Sequence, residues 1–222
     1  MGRRRTIPIT LTVTFPSFRL RQRPSADAFD IPGRRGRETL RFPLSVPARL
    51  AVIDVAFHAG PNTKIFEPGD FSGLRNYAPD ALALPASTVL AFAERKLRGH
   101  LDLPSLKLAI VVLSSLDSPV DLPLASPDRD LLWRAFGLPL FEQLCGWDGR
   151  VVARECEVHD GLHLDSATER AEVHAGRLRV DGRPTGLSAE IVKDQCECGI
   201  ETPRLCHLAA LRQRASSARS AA

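Results

Sequence analysis

Glu155-Cys156-Glu157-Val158-His159-Asp160-Gly161-Leu162-His163, followed some thirty residues later by Cys196-Glu197-Cys198-Gly199, is the part of the chain hardest to explain as packing. Two cysteines one residue apart, a third cysteine and a nearby imidazole form a Cys3His set. Soft sulfur and borderline nitrogen in that number suit a tetrahedral Zn2+ ion. Gly199 allows the tight turn that would point Cys196 and Cys198 at one ion. The expected ligands are therefore Cys156, His163, Cys196 and Cys198. Four protein ligands leave no open position for water, so the expected zinc is structural. His159, four residues before His163, is an alternative imidazole ligand. Glu155 and Glu157 read as solvated groups or as partners of the ligands, not as an acid/base pair.

The chain of 222 residues is long enough to bury a real core. Its 44% hydrophobic and 25% charged content is ordinary for a soluble globular protein. The net charge of +4 comes mostly from scattered arginine, with lysine only at 64, 96, 107 and 193. A nucleic-acid surface would cluster that charge and interleave aromatics, so nucleic acid is not expected as a partner. Five cysteines are an odd number, and the metal-like spacing takes most of them, which argues against a disulfide framework. The segment after the basic residues 3–5 is too short and too rich in threonine for a signal sequence, and no run approaches a membrane span. The expected location is the cytoplasm, without membrane contact.

Outward from the cysteine-rich stretch, the chain divides into four regions: 1–84, 85–149, 150–206 and 207–222. In the first, Ile7, Ile9, Leu11, Val13 and Phe15 alternate with threonine, the period of a half-buried strand. Residues 21–37 read as a loop, 39–42 and 48–56 as strands, and 60–80 as irregular structure holding Phe66 and Phe71 against the body. In the second region, Ser87 is placed to cap a helix over 88–98, with Gly99 as its stop. Residues 106–113 predict a strand covered on both faces. A helix follows over 126–136, with Pro127 at its first turn and Gly137 at its end, then a strand over 138–144. Strand, helix, strand predicts a parallel α/β layer. From residue 150 short strands at 151–157, 162–164, 171–173, 177–180 and 189–192 predict a β-rich module bracketed by the zinc ligands. Residues 207–222 predict a short amphipathic piece and a disordered tail. The fold class expected is thus α/β, a parallel α/β layer followed by a β-rich, zinc-stapled segment.

With these residues in place, 85–205 resembles the phenylacetate–CoA ligase-like branch of the adenylate-forming enzymes. The phrase Phe136-Gly137-Leu138-Pro139, then Glu155-Cys156-Glu157, Gly161-Leu162-His163, Thr185-Gly186, Cys196-Glu197-Cys198-Gly199 and Pro203-Arg204 follow the family's order. The resemblance implies zinc on the Cys and His positions, as some members carry it. It also implies where nucleotide chemistry should lie, and there the sequence departs. The family's Ser/Thr/Gly-rich phosphate loop, which holds ATP on backbone amides, has no counterpart in this sequence. Its Gly-Gly-Glu-type turn stands as Ser114-Ser115-Leu116-Asp117. Its Tyr-Gly-x-x-Glu strand end stands as Leu144-Cys145-Gly146-Trp147-Asp148-Gly149. Its ribose-binding Asp after Thr-Gly is Leu187, which cannot accept a hydrogen bond. The family's lid domain with its lysine has no counterpart in residues 207–222.

These departures imply a zinc-binding pseudoenzyme with no catalytic residues, a binding or accessory protein for a protein partner or a small acyl or aryl ligand. The alternative is an acyl-CoA ligase-like enzyme, either completed by a partner chain or using Cys145 and Asp148 in a reworked pocket. Cys145 and Cys206 read as structural thiols, His58 as a surface residue, and Trp133 and Trp147 as core or cleft lining. Asp148 is at most a vestigial magnesium ligand.

Overall fold

The computed structural model describes residues 49–55, 62–165 and 171–211, all within the unit spanning Gly33–Ala222. The strands expected over 6–20 and 39–42, the loop 21–37, His58 and residues 212–222 lie outside the described residues.

Chain order begins with β1 (Leu50–Ile53), β2 (Thr63–Phe66), α1 (Phe71–Tyr77), β3 (Ala81–Pro85), α2 (Ala86–Leu97), β4 (Ala109–Ser115), α3 (Ser126–Phe136) and β5 (Leu140–Cys145). It continues with β6 (Val151–Glu155), β7 (Leu162–Leu164), β8 (Ala171–His174), β9 (Arg177–Val180), β10 (Arg183–Val192) and β11 (Arg204–Ala210). All described strands join one sheet of order β2-β1-β3-β4-β5-β6-β7-β11-β10-β9-β8. β2, β1, β3, β4 and β5 pair in parallel, and from the β5–β6 pair onward every pairing is antiparallel. The architecture is therefore mixed α/β, rich in sheet and with few helices.

Alternation along the parallel strands explains both covered faces. Ile53, Leu82, Leu84, Ile110 and Val112 share one core with Val89, Phe92 and Ala93 of α2 and Leu132 and Ala135 of α3. Leu50, Val52, Ala81, Ala83, Val111 and Leu113 form a second cluster of the alternate positions. A buried aliphatic side chain of this kind contributes about 1.5–3 kcal/mol relative to exposure. β4, α3 and β5 realise the expected strand–helix–strand unit. Gly137 ends α3 in the left-handed region, φ 62°, where a side chain is disfavoured.

Several boundaries differ from expectation. The line at 84/85 falls inside β3, and β1–β3 belong to the same parallel layer as β4 and β5. Residues 60–80 hold β2 and α1, because Asp70 accepts the Gly73 amide (2.8 Å) and starts a helix of only two turns. Phe66 is buried, whereas Phe71 is half-buried against the Phe92 ring.

Ser87 is not the cap of α2 but sits inside its first turn, and its amide and hydroxyl both donate to the Asp121 carboxylate at 3.0 and 2.6 Å. The negative charge at that helix start thus comes from the loop after β4. Residues 207–210 are the end of β11, not a tail. Trp133, expected in the core or a cleft, stands 59% exposed on α3.

Candidate metal centre

The antiparallel half of the sheet positions the Cys3His set. Cys156 follows the last residue of β6, His163 is the middle residue of β7, and Cys196 and Cys198 lie in the loop joining β10 to β11. Because β11 pairs with both β7 and β10, the loops at these strand ends are brought side by side. The four ligand atoms all lie within 4.8 Å of one another. Cys156 Sγ and Cys196 Sγ are 3.8 Å apart, and Cys198 Sγ is 3.3 Å from His163 Nε2. A disulfide would need about 2.05 Å, and none of the five cysteines is in one. A tetrahedral ion with metal–sulfur bonds of about 2.3 Å would place two sulfurs about 3.8 Å apart and a sulfur and nitrogen about 3.6 Å apart. The residues fit such an ion.

Local chemistry shapes the cluster. Gly199 at φ 80° lets the chain turn back, with its amide donating to the Cys196 carbonyl at 3.0 Å. The Ile200 amide approaches Cys198 Sγ at 3.4 Å, a donor aimed at developing thiolate charge. On the other loop, Gly161 has φ 80°, and a Cβ there would meet the Leu205 carbonyl and Cys206 Sγ at 2.7 Å. Only glycine allows this loop to lie so close to β11. His163 is buried, and its Nδ1 lies 3.1 Å from the Thr202 carbonyl. A carbonyl only accepts, so Nδ1 carries the proton and Nε2 presents its lone pair to the sulfurs.

The titration of these groups follows from their surroundings. Burial pushes the Cys156 thiol up, and burial with its neighbouring thiols pushes Cys198 up to about 12. Burial also works to raise Cys196, but the Cys198 amide, the neighbouring thiols and the charge of Arg204 outweigh it and hold this thiol below its ordinary value. Burial lowers His163, so the imidazole is neutral and able to ligate. Like charges so close oppose one another, and three thiolates can coexist here only around a cation.

His159 does not join the set. Its Nδ1 lies 3.2 Å from the Glu155 carboxylate and its ring stacks on Phe141. Glu155 is buried, part of a network that sequence spacing did not reveal. Arg129 of α3 bridges Glu155 and Glu142 at 3.1 and 2.9 Å, and the Glu142 amide donates to Glu155 at 2.8 Å. Ser114 and the Leu124 amide also donate to Glu142. Burial holds the Glu142 carboxyl above its ordinary value, whereas His159, Arg129 and the Glu142 amide overcome burial at Glu155 and hold it below. The network borders a hollow of about 320 Å³ floored by Leu162, Leu205 and Leu208. A larger groove of about 630 Å³ runs over Val173, Ile191 and Lys193. None of the four metal-site residues lines either hollow.

Leu187 is buried in an apolar cluster with Leu178, Val180 and Leu205. Trp147 packs against that cluster under the Arg183 guanidinium, 5.8 Å from the ring centre. Cys145 is buried at the end of β5, Cys206 is half-buried under Gly161, and Asp148 is engaged by Arg150.

No family model and no curated protein matches the chain. Among solved structures it is similar to 2-hydroxyisobutyryl-CoA ligase in an open conformation with 2-HIB-AMP and CoA, at TM-score 0.51 and 15% identity over 72% of this chain and 44% of that one. The same ligase in its thioesterification state gives TM-score 0.52 at 15% identity, over 74% and 44%. The fold is shared with an acyl-CoA ligase. At this identity the likeness speaks for the fold alone, and the chain spans less than half the length of these ligase structures. No helix among the described residues is long and apolar enough to cross a membrane.

Proposed function

We propose that this chain is a non-catalytic, zinc-stapled relative of the adenylate-forming acyl-CoA ligases, of the phenylacetate–CoA ligase-like branch, which acts by binding a protein partner or a small acyl or aryl ligand. The observation that carries the non-catalytic reading is Leu187. At the position where the resemblance expects a carboxylate for the ribose hydroxyls, a leucine is buried in an apolar cluster. The Leu187 side chain offers no acceptor for a ribose hydroxyl, and it is shut off from solvent. Trp147 and Arg183 occupy the neighbouring surface against each other.

Zinc is the ion the donor set favours, because three sulfurs and an imidazole in a compact cluster match its preferred ligands and number. Cys156, His163, Cys196 and Cys198 would hold it. The ion would supply cross-linking between two loops and no Lewis-acid chemistry, since the protein fills its coordination. The test is isothermal titration of the zinc-loaded chain with ATP·Mg. No heat of binding is expected up to millimolar nucleotide, and micromolar affinity would overturn the non-catalytic reading in favour of a ligase-like enzyme.

A further inference from the structure

Arg204 is a buried cation, 2% exposed, in a part of the molecule otherwise devoted to holding thiols. It sits on β11 opposite His163 of β7 and opposite Val192 at the end of β10. Its guanidinium forks. Nη1 donates to the Asp160 carboxylate and, at 2.9 Å, to the Asp160 carbonyl, while Nη2 donates to the Asp194 carboxylate. Asp160 lies between Cys156 and His163, and Asp194 lies two residues before Cys196. One guanidinium therefore ties the β6–β7 loop, which carries Cys156 and leads into His163, to the β10–β11 loop, which carries Cys196 and Cys198. Both carboxylates are mostly exposed, so solvation alone would leave them free, and the buried arginine is what fixes them.

We infer that Arg204 is the positioning residue of the metal centre: it presets the two ligand loops so that the Cys3His set is assembled before the ion arrives. This rests on the zinc reading above. A site whose ligands are already in place loses less chain entropy on binding than one that must order two loops. The planar fork is essential, because two carboxylates on separate loops are spanned by two nitrogens in fixed geometry. A lysine ammonium offers a single point charge and cannot reproduce that span. Removal of such an outer partner from a metal site lowers metal affinity by about 10- to 100-fold.

The experiment is a competition titration of the full chain with zinc and a chromophoric chelator, for the wild type, Arg204→Lys, Asp160→Asn, Asp194→Asn and the combination of Asp194→Asn with Arg204→Lys. Arg204→Lys is expected to weaken zinc binding by about 10- to 100-fold. Each Asp→Asn change is expected to weaken it by a smaller factor, and Asp194→Asn is expected to add little once Arg204 is lysine. The exposed aspartates can be changed without opening the core, so these variants test the idea even if Arg204→Lys fails to fold. A purely structural role would lower the melting temperature of the metal-free chain and leave zinc affinity in place. Zinc affinities of both Asp→Asn variants within about twofold of wild type overturn the role of Arg204. A wild type that takes up no zinc overturns the metal reading itself, and this inference with it.

Discussion

Removal of zinc should cost this chain a defined amount of stability. Cys156 and Cys196 are separated by 40 positions in sequence, so an ion bridging them closes a long loop. Treated as a cross-link, that closure removes about 13 cal/mol/K of unfolded-chain entropy, or about 4 kcal/mol at 25 °C. A chain of this size shifts its melting temperature by about 2–4 °C per kcal/mol, so chelation should lower it by about 8–16 °C. The assay is differential scanning calorimetry before and after a chelator, with metal content measured on the same samples and zinc added back. Loss should be reversible, because binding energy in such a site is folding energy. A chain that gives up its zinc and melts within about 2 °C of the loaded form would refute the staple.

Three further outcomes follow from other parts of the molecule. Asp121→Ala removes the carboxylate that caps α2 from outside and should cost about 1–2 kcal/mol in denaturant unfolding, with an unchanged denaturant slope. Leu187→Asp places a carboxylate in an apolar cluster and should cost about 3–5 kcal/mol while conferring no affinity for ATP; a stable variant that binds ATP would show the position is a live nucleotide site. Glu142 is held above its ordinary value by burial, so the folded chain keeps its proton to higher pH than the unfolded chain does. Its contribution is complete below the unfolded value of about 4.5 and is lost as pH rises through the folded value. Glu142→Gln should therefore gain stability relative to wild type as pH is raised from 4.5, and a pH-independent difference would contradict the direction of that shift.

Much of the parallel layer was legible because burial writes itself into local patterns. The continuous apolar run around Ile110–Val112, the proline and aspartate opening α3 and the glycine closing it each act within a few residues. That Cys156, His163, Cys196 and Cys198 come together was legible for a different reason: thiols and an imidazole at short spacings have few structural uses. What stayed hidden depends on partners far apart in sequence. Ser87 reads as a cap from its own neighbourhood, but the residue that satisfies it is 34 positions away. Arg129, Glu142 and Glu155 carry no local sign that they meet, and only the α3–β5–β6 packing brings them together. α1 escaped notice because seven residues with Gly73 among them give too short a period, and Asp70 alone starts them. β11 escaped because His207 and two alanines dilute its alternation, although it is the strand that joins both ligand loops.

The central claim is that Cys156, His163, Cys196 and Cys198 form a zinc staple. Elemental analysis of the freshly purified, unchelated chain tests it most directly, with Cys196→Ser as the control. About one zinc per wild-type chain, with a marked loss in the control, is the predicted result. A wild-type value near zero, or equal zinc in both proteins, would contradict it.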